Sequence, residues 1–189
     1  FGDADAKRKI MIVIKERFSV RNNPKKDFVK SLNSNRFLLV FSNGVYDLKS
    51  YTFRDGMPSD CMSMSVGYDY IEKHSDNFNG LQQFLSDIQP EKEERDFLLT
   101  YLSHALYGNM LEWFTIFTGS VDRYGKSKFI ELIGKVFGDF YSSTKSQLFT
   151  RPQPDANSPD PGLLELGNKK IVISSEPEKN TKLNSGFIK

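Results

Sequence analysis

A glycine-bearing turn that ends in Gly125-Lys126-Ser127 has residue types that could do chemistry. In phosphate-binding loops, backbone N–H groups surround phosphate oxygens, a lysine reaches the β- and γ-phosphates, and a serine hydroxyl completes the Mg²⁺ shell. Glycine lets the backbone approach a ligand without a Cβ clash. The pattern predicts an ATP and Mg²⁺ site with Lys126 on the phosphates and Ser127 on the metal. The expected phosphate contacts are Gly119, Ser120, Asp122, Arg123, Tyr124, Gly125, Lys126 and Ser127.

The spacing of this loop departs from the usual pattern, G-x-x-x-x-G-K-S/T. Gly119 and Gly125 enclose one residue more than the pattern allows, and counting from Ser120 puts a serine where the first glycine belongs. Two alternatives therefore stay open. One is a DNA-binding or oligomerisation module whose phosphate loop no longer functions. The other is a small-molecule kinase, for which only Arg151 resembles part of an arginine-rich lid.

Two elements must position the loop, a strand before it and a helix after it. Residues 113–118 form a β-branched and aromatic run, which predicts a buried strand. From Lys128 onward the apolar residues recur at helical spacing, and Gly138 is the expected C-cap. The predicted apolar face of this helix consists of Phe129, Ile130, Ile133, Val136 and Phe137.

A second candidate site follows the apolar run at 171–175. An acid at the C-terminal tip of a parallel strand, beside the strand that precedes the phosphate loop, can hold Mg²⁺ or polarise the attacking water. Glu176 is the first candidate for this catalytic and metal-binding role, and Glu178 is the second. This role is favoured because the two acids follow a phosphate-loop helix in the same chain.

The rest of the sequence predicts helices around a β-hairpin. We expect a helix capped by Asp3 and running to about Phe18, strands at 37–41, 45–48 and 51–53, and a further strand near Val66 and Tyr68. Helices are expected at 77–88 and from Pro90 to about 107, with their aromatic residues in the core. The expected domains are an α+β segment with the hairpin (1–76), a helical collar (77–109) and the start of a P-loop ATPase domain (110–189).

Composition excludes several classes of protein. Hydrophobic residues at 38% and charged residues at 26% of the 189 predict a globular protein, and no apolar run has the length of a membrane span. The first residues lack the apolar core of a signal peptide. The single cysteine, Cys61, excludes an internal disulfide and favours a reducing, intracellular compartment, and a zinc site is not expected. A net charge of +2 does not by itself indicate nucleic acid.

Several motifs together resemble one family. NGVYDL at 43–48, FRDG at 53–56 and GYDY at 67–70 look like the segment before the helicase in viral and phage primase–helicases. GKSKFIELIGKVFGDF at 125–140 is similar to their P-loop helix, and KKIVISSEPEKNTKLNSGFIK at 169–189 is similar to their strand-plus-acid motif. The sequence resembles superfamily III helicases of nucleocytoplasmic large DNA viruses, of the poxvirus primase–helicase kind, from about residue 36 onward.

This resemblance implies an α/β fold in which an AAA+-type P-loop ATPase core, truncated on its C-terminal side, follows a small α+β domain. It implies a hexameric ring that moves on single-stranded or forked DNA during viral genome replication, with other replication proteins as partners and no membrane, in the host cytoplasm or nucleus. Lys189 resembles the lysine of the DNA-contacting motif. The second motif is Glu-Pro-Glu rather than two adjacent acids. The family's sensor and arginine would lie beyond Lys189, so we expect this chain alone to bind nucleotide but hydrolyse little ATP.

Overall fold

The computed structural model describes residues 4–21, 28–72, 78–108, 113–118, 125–152 and 160–188. These ranges contain both helices and short strands, so a mixed helix and strand fold is confirmed. The chain divides into two compact units, Phe1–Asn35 with Met57–Ser63, and Arg36–Gly56 with Met64–Lys189. The domain boundaries expected at residues 76 and 109 stay a prediction.

The smaller unit holds α1 (Ala4–Arg21), α2 (Phe28–Ser31) and a 3-10 turn at Pro58–Asp60. The first predicted helix is confirmed, although it runs three residues further than expected, to Arg21, and its expected cap, Asp3, lies outside the described residues. The apolar residues of α1 from Ile10 to Ile14 are exposed. Asn33 holds this unit together, since its N–H donates to the Cys61 carbonyl at 2.7 Å and its carboxamide bonds to Ser63.

The larger unit begins with the antiparallel sheet β1 (Leu38–Phe41), β2 (Gly44–Asp47) and β3 (Thr52–Arg54), in that order. The register pairs Leu39 with Tyr46 and Tyr46 with Phe53. The reversal after β2 is closed by the Asp47 carboxylate, which accepts hydrogen bonds from the next backbone N–H groups. A short polar side chain commonly closes such turns in this way, so the predicted hairpin region is confirmed.

A further strand predicted near Val66 and Tyr68 is wrong. The segment does lie along β1, because the Val66 N–H donates to the Val40 carbonyl and the Ser42 N–H donates to the Tyr68 carbonyl, both at 2.9 Å. Gly67 between them has a φ of +82°, which is incompatible with an extended ladder. The backbone therefore makes isolated bonds to β1 rather than a fourth strand.

Three longer helices follow, α3 (Phe78–Ile88), α4 (Lys92–Tyr107) and α5 (Lys126–Phe137). Gly108 ends α4 in the left-handed region. Gly138 ends α5 with a φ of +51°, and a Cβ there would lie 2.5 Å from the Val66 backbone. The predicted cap at Gly138 is therefore confirmed. The face of α5 that packs into the core carries Phe129, Ile133 and Phe137, while Val136 is exposed.

The last part of the chain is a parallel strand pair. Strand β4 (Tyr141–Thr144) is connected through α6 (Gln147–Thr150) and α7 (Pro161–Leu164) to β5 (Ile171–Ser174), and α8 (Ser185–Ile188) follows. Ser142 pairs with Val172 and Thr144 with Ser174. Parallel strands need a long crossover, which the segment containing α6 and α7 supplies. Helix α5 packs against β4, where the Gly134 backbone faces the Tyr141 ring.

The strand predicted at residues 113–118 is wrong. These residues have no regular secondary structure, and Trp113, Phe114 and Ile116 are exposed. A β-prone run becomes a strand only where a sheet edge accepts its backbone hydrogen bonds, whereas here the rings of Trp113 and Phe117 contact the rings of Phe97 and Phe129. Strand β5 pairs with β4, and among the described residues no strand pairing joins it to residues 113–118.

Candidate functional site

Helix α5 begins at a glycine in a conformation that other residues adopt with strain. Gly125, its N-cap, has φ +72° and ψ 3°, and no side chain caps the helix. A Cβ on Gly125 would lie 3.0 Å from Cγ1 of Ile88, the last residue of α3. The first N–H groups of a helix have no intrahelical acceptor. The start of α5 therefore has backbone N–H groups that lack an intrahelical acceptor, beside a residue whose backbone conformation favours glycine.

The charges on α5 are arranged unusually for a helix N-terminus. Its first turn contains Lys126 and Lys128 and no acid, although the partial positive charge of the helix end favours acids there. Lys128 bonds to Glu131 at 2.9 Å, and Lys135 lies 3.2 Å from the same carboxylate. These two lysines hold the pKa of Glu131 below its usual value. Among the described residues, Lys126 forms no such ion pair.

The predicted loop residues are only partly within the described structure. Lys126 is half-buried and lines a cleft, and Ser127 in the next position is exposed. Gly119, Ser120, Asp122, Arg123 and Tyr124 lie outside the described residues, and so does Lys189. The structure thus places Gly125, Lys126 and Ser127 consecutively at the start of α5, and the roles predicted for them stay predictions.

The cleft beside Lys126 has a volume of about 660 Å³, within the range of small-molecule pockets. Its walls come from the end of α3, one side of α4, residues 115–118 and the first turn of α5. Among the described residues that line it, Lys126 is the one cation and Glu93 and Glu94 are the anions. The remaining lining residues are Ile88, Gln89, Pro90, Phe97, Leu98, Tyr101, Thr115, Ile116, Phe117, Thr118 and Phe129.

Sequence patterning missed this cleft because it assigned the aromatic residues of α4 to the core. Phe97 is 58% exposed and lines the cleft, and Tyr101 lines it one turn further along the helix. An apolar stripe at helical spacing indicates which residues share a face. It does not tell whether a neighbouring element covers that face completely, and here residues 113–118 cover it only in part.

The two candidate acids follow β5 in exposed positions. Because β4 and β5 are parallel, their carboxyl ends meet at one edge, where the Ser175 N–H donates to the Thr144 carbonyl at 3.2 Å. Glu176 and Glu178 come just beyond this edge. Among the described residues neither carboxylate forms an ion pair, and no hydrogen bond joins Glu176 to Lys126 or Ser127. The structure therefore places the acids at a strand end without bringing them into contact with the start of α5.

Lys170 is a half-buried lysine that the sequence patterns did not single out. Its ammonium donates to the carbonyls of Arg36 (2.6 Å) and Leu106 (2.8 Å), so it connects the start of β5 to the ends of β1 and α4. Burial, helped by the charge of Arg36, lowers the pKa of Lys170 to about 8. Its position directly before an apolar strand was the available signal, and its role is structural.

Arg151, the residue considered for a kinase lid, forms a different contact. Its guanidinium donates to the Asp160 carboxylate, which also accepts the Gly162 N–H at 3.1 Å and caps α7. Asn184 bonds to the Arg151 carbonyl at 3.0 Å. The hydrogen bond from Arg151 lowers the pKa of Asp160. Arg151 thus stabilises the crossover segment before β5.

Within the described ranges, no three His, Cys, Asp or Glu side chains are clustered closely enough to hold a metal ion. The described helices also include none that is long and apolar enough to cross a membrane.

Comparison with known proteins gives a family match and several relatives. Residues 4–90 match the family described as D5 N terminal like. The chain is 38% identical over 180 residues to the putative helicase L207/L206 of Acanthamoeba polyphaga mimivirus, covering 94% of this chain and 18% of that protein. It is 30% identical over 170 residues to the putative helicase 121R of Invertebrate iridescent virus 3, covering 86% of this chain and 18% of that protein. It is 27% identical over 177 residues to Primase D5 of Fowlpox virus, covering 88% of this chain and 22% of that protein.

These similarities support the primase–helicase family of large DNA viruses. The family match covers α1 through α3, and the similarity to the relatives continues through most of the remaining chain. The chain spans only about a fifth of the length of the curated relatives it matches. The resemblance seen in the sequence motifs is therefore supported at the level of the primase–helicase family.

Proposed function

We propose that this chain supplies the phosphate-binding part of an ATP-dependent DNA helicase, within a primase–helicase that replicates a viral genome. The observation that carries the proposal is the start of α5, where Gly125 is left-handed and Lys126 lines a cleft and forms no ion pair among the described residues. A helix end whose first N–H groups lack intrahelical acceptors, together with a lysine, is well suited to an anion such as a triphosphate. The names of the relatives, helicase and primase, supply the biological setting.

Each candidate residue has a separate role in this proposal. Lys126 and the N–H groups that follow Gly125 bind the β- and γ-phosphates and stabilise the charge that develops on them. Ser127 contributes its hydroxyl to the Mg²⁺ shell, and magnesium supplies further charge neutralisation. Glu176, with Glu178 as the alternative, orients the attacking water. Because Glu176 does not contact Lys126 in this structure, closure around nucleotide must bring the strand end to the phosphates.

The wider machine belongs to the whole protein. We propose that it is an AAA+-type ATPase of superfamily III that assembles as a hexameric ring, takes an arginine from a neighbouring subunit, and moves on single-stranded or forked DNA. Lys189 would contribute to DNA contact. This chain by itself is expected to bind nucleotide and to hydrolyse little ATP, so steady-state turnover at the rate of a working helicase would contradict that expectation.

Mg²⁺-ATP binding, measured by calorimetry, tests the phosphate site. Lys126→Ala removes the ammonium that lines the cleft, and binding should be lost or weakened more than tenfold, because a charged hydrogen bond contributes about 1.5–3 kcal/mol. Lys128→Ala is the matched control, since Lys128 lies in the same turn but is exposed and pairs with Glu131. Equal affinities for the two variants would overturn the assignment of Lys126.

A second candidate function is a DNA-binding or oligomerisation module whose phosphate loop no longer functions. Two observations favour it, the extra residue between Gly119 and Gly125 and the lack of a strand at 113–118. Such a module would bind single-stranded DNA with the same affinity in the presence and absence of Mg²⁺-ATP. Binding of DNA that changes with ATP would instead favour the helicase.

A further inference from the structure

The antiparallel sheet carries a cluster of aromatic side chains that the proposed phosphate site does not use. The register places Tyr46 opposite Phe53, and the ring of Tyr70 packs on both, with its centroid 5.3 Å from Tyr46 and 4.6 Å from Phe53. Phe41 on β1 makes edge contacts with Phe53, Tyr68 and Tyr70. We call these five rings the aromatic face: Phe41, Tyr46, Phe53, Tyr68 and Tyr70.

The aromatic face is only partly covered by the described part of the chain. Phe53 is 37% exposed and Tyr68 is 41% exposed, and Ile71, which follows Tyr70, is 71% exposed. Single exposed apolar side chains are ordinary, but a contiguous group of them on a folded protein marks an interaction surface. A partner with an apolar surface is therefore expected here.

Acidic residues surround the exposed end of the aromatic face. Asp55 directly follows β3, beside the turn between β1 and β2. Asp69 and Glu72 lie on either side of Tyr70 in the chain, and the Asn43 carboxamide of the same turn bonds to both backbone groups of Tyr70. These three acids are exposed, and among the described residues they form no ion pair. They would repel a nucleic acid backbone and attract a basic partner.

Helix α1 has the complementary chemistry. Its apolar run from Ile10 to Ile14 is 42–58% exposed, and Ile10 and Ile14 share one side of the helix with Lys7. Basic residues outnumber the acids Asp5 and Glu16 along this helix: Lys7, Arg8, Lys9, Lys15, Arg17 and Arg21. Helix α1 thus presents apolar side chains between basic residues, whereas the aromatic face presents rings beside acids.

We propose that α1 of one copy of this chain docks on the aromatic face of a second copy. The isoleucines of α1 pack on the exposed rings, and its basic residues pair with the three acids at the end of the face. Rings of this sheet also attract cations directly, since Arg36 and Lys49 lie 4.9 and 4.2 Å from the ring centroid of Phe37. This inference goes beyond the proposed function, because it names two surfaces that associate without nucleotide.

Sedimentation velocity of the whole chain, at increasing protein concentration and without nucleotide, measures the association. Ile10→Gln combined with Ile14→Gln should weaken it roughly 10- to 100-fold, because buried isoleucine side chains are lost from the contact. Leu163→Gln combined with Leu164→Gln is the matched control, since these two leucines are also exposed but lie on α7. Circular dichroism checks that both variants keep the wild-type helix content.

An exchange of charges tests whether the two surfaces touch. Asp69→Lys combined with Glu72→Lys should weaken association roughly 3- to 10-fold, and so should Arg8→Glu combined with Lys9→Glu. The chain that carries all four substitutions should regain association, because opposite charges face each other again. A synthetic peptide of residues 4–21 should compete with α1 and dissociate the wild-type complex, less effectively at high salt.

The outcomes decide between this contact and its alternatives. A chain that stays monomeric at every concentration would overturn the proposal, and so would association that the α1 variant or the acid variant leaves unchanged. Displacement of the peptide by single-stranded DNA would assign the aromatic face to nucleic acid and also overturn it. Lys126→Ala should associate like the wild type, so failure of the phosphate site and failure of this contact are distinguishable.

Discussion

Replacing Gly125 with alanine tests whether the start of α5 is built as the structure describes it. A φ of +72° costs a residue with a Cβ about 1–2 kcal/mol, and the new methyl would lie 3.0 Å from Cγ1 of Ile88. Alanine also restricts the unfolded chain, which returns about 0.4–1 kcal/mol. With the Ile88 contact added, we expect a net loss of about 1 kcal/mol in the free energy of unfolding.

Gly134→Ala is the matched control on the same helix. Gly134 is inside α5, and a Cβ there would meet the Tyr141 ring at 3.4 Å, an ordinary van der Waals contact. Alanine in a helix interior is favoured over glycine by about 0.5–1 kcal/mol. The two variants should therefore change stability in opposite directions and differ by about 1.5–2 kcal/mol.

Urea unfolding followed by circular dichroism measures this difference. For a small protein with an m-value of about 1–3 kcal/mol/M, the two midpoints should differ by roughly 0.5–2 M. A Mg²⁺-ATP titration of the same variants should show weaker binding for Gly125→Ala only, because a shift of the backbone there displaces Lys126. Equal stability of the two variants would refute the left-handed backbone at Gly125 and the contact with Ile88.

Three further predictions concern the framework around the site. Burial and the charge of Arg36 lower the pKa of Lys170 to about 8, so between about pH 8 and 10.5 the unfolded chain holds more protons and stability rises with pH. The urea midpoint of the wild type should be higher at about pH 9.5 than at about pH 7.5, and Lys170→Met should abolish this rise. If the midpoint of the variant rises with pH as much as that of the wild type, the lowered pKa of Lys170 is contradicted. The hydrogen bond from Arg151 lowers the pKa of Asp160. The contribution of this pair to stability is therefore present above the ordinary aspartate pKa and is lost as the pH falls below it. Asp160→Asn should reduce the thermal stability at neutral pH and flatten that acid dependence, and a variant as stable as the wild type would show that this pair does not hold the crossover. Gly138→Ala should cost about 3 kcal/mol in urea unfolding, because its Cβ would lie 2.5 Å from a backbone that cannot rotate away, and a loss below 1 kcal/mol would count against that close approach.

Local patterns predicted the elements that depend on local rules. The apolar spacing of α5, the glycine that ends it and the hairpin region follow from helix periodicity, left-handed backbone and short-range hydrogen bonds. Each of these signals is contained in fewer than about twenty neighbouring residues. They were correct because the physical interaction involved is equally local.

The two strand predictions that were wrong share a different cause. Residues 113–118 have strong β propensity, and Val66 and Tyr68 lie beside β1, yet neither segment forms a strand. A strand depends on partners that are distant in sequence, and on the absence of a left-handed residue such as Gly67. The exposure of Phe97 has the same origin, because partial cover by a remote segment decides whether a helix face becomes core or cleft.

The sequence by itself determined the longer helices (α1, α3, α4 and α5), the hairpin, the Gly-Lys-Ser at a helix start and the resemblance to viral primase–helicases. Only the tertiary structure decided that Lys126 lines a cleft shared with α4, that β5 pairs with β4, and that Lys170 connects three elements through two carbonyl groups. The physical reason is the range of the interactions. Backbone propensities act between neighbours, whereas clefts, strand pairing and buried charges depend on which distant surfaces exclude water from one another.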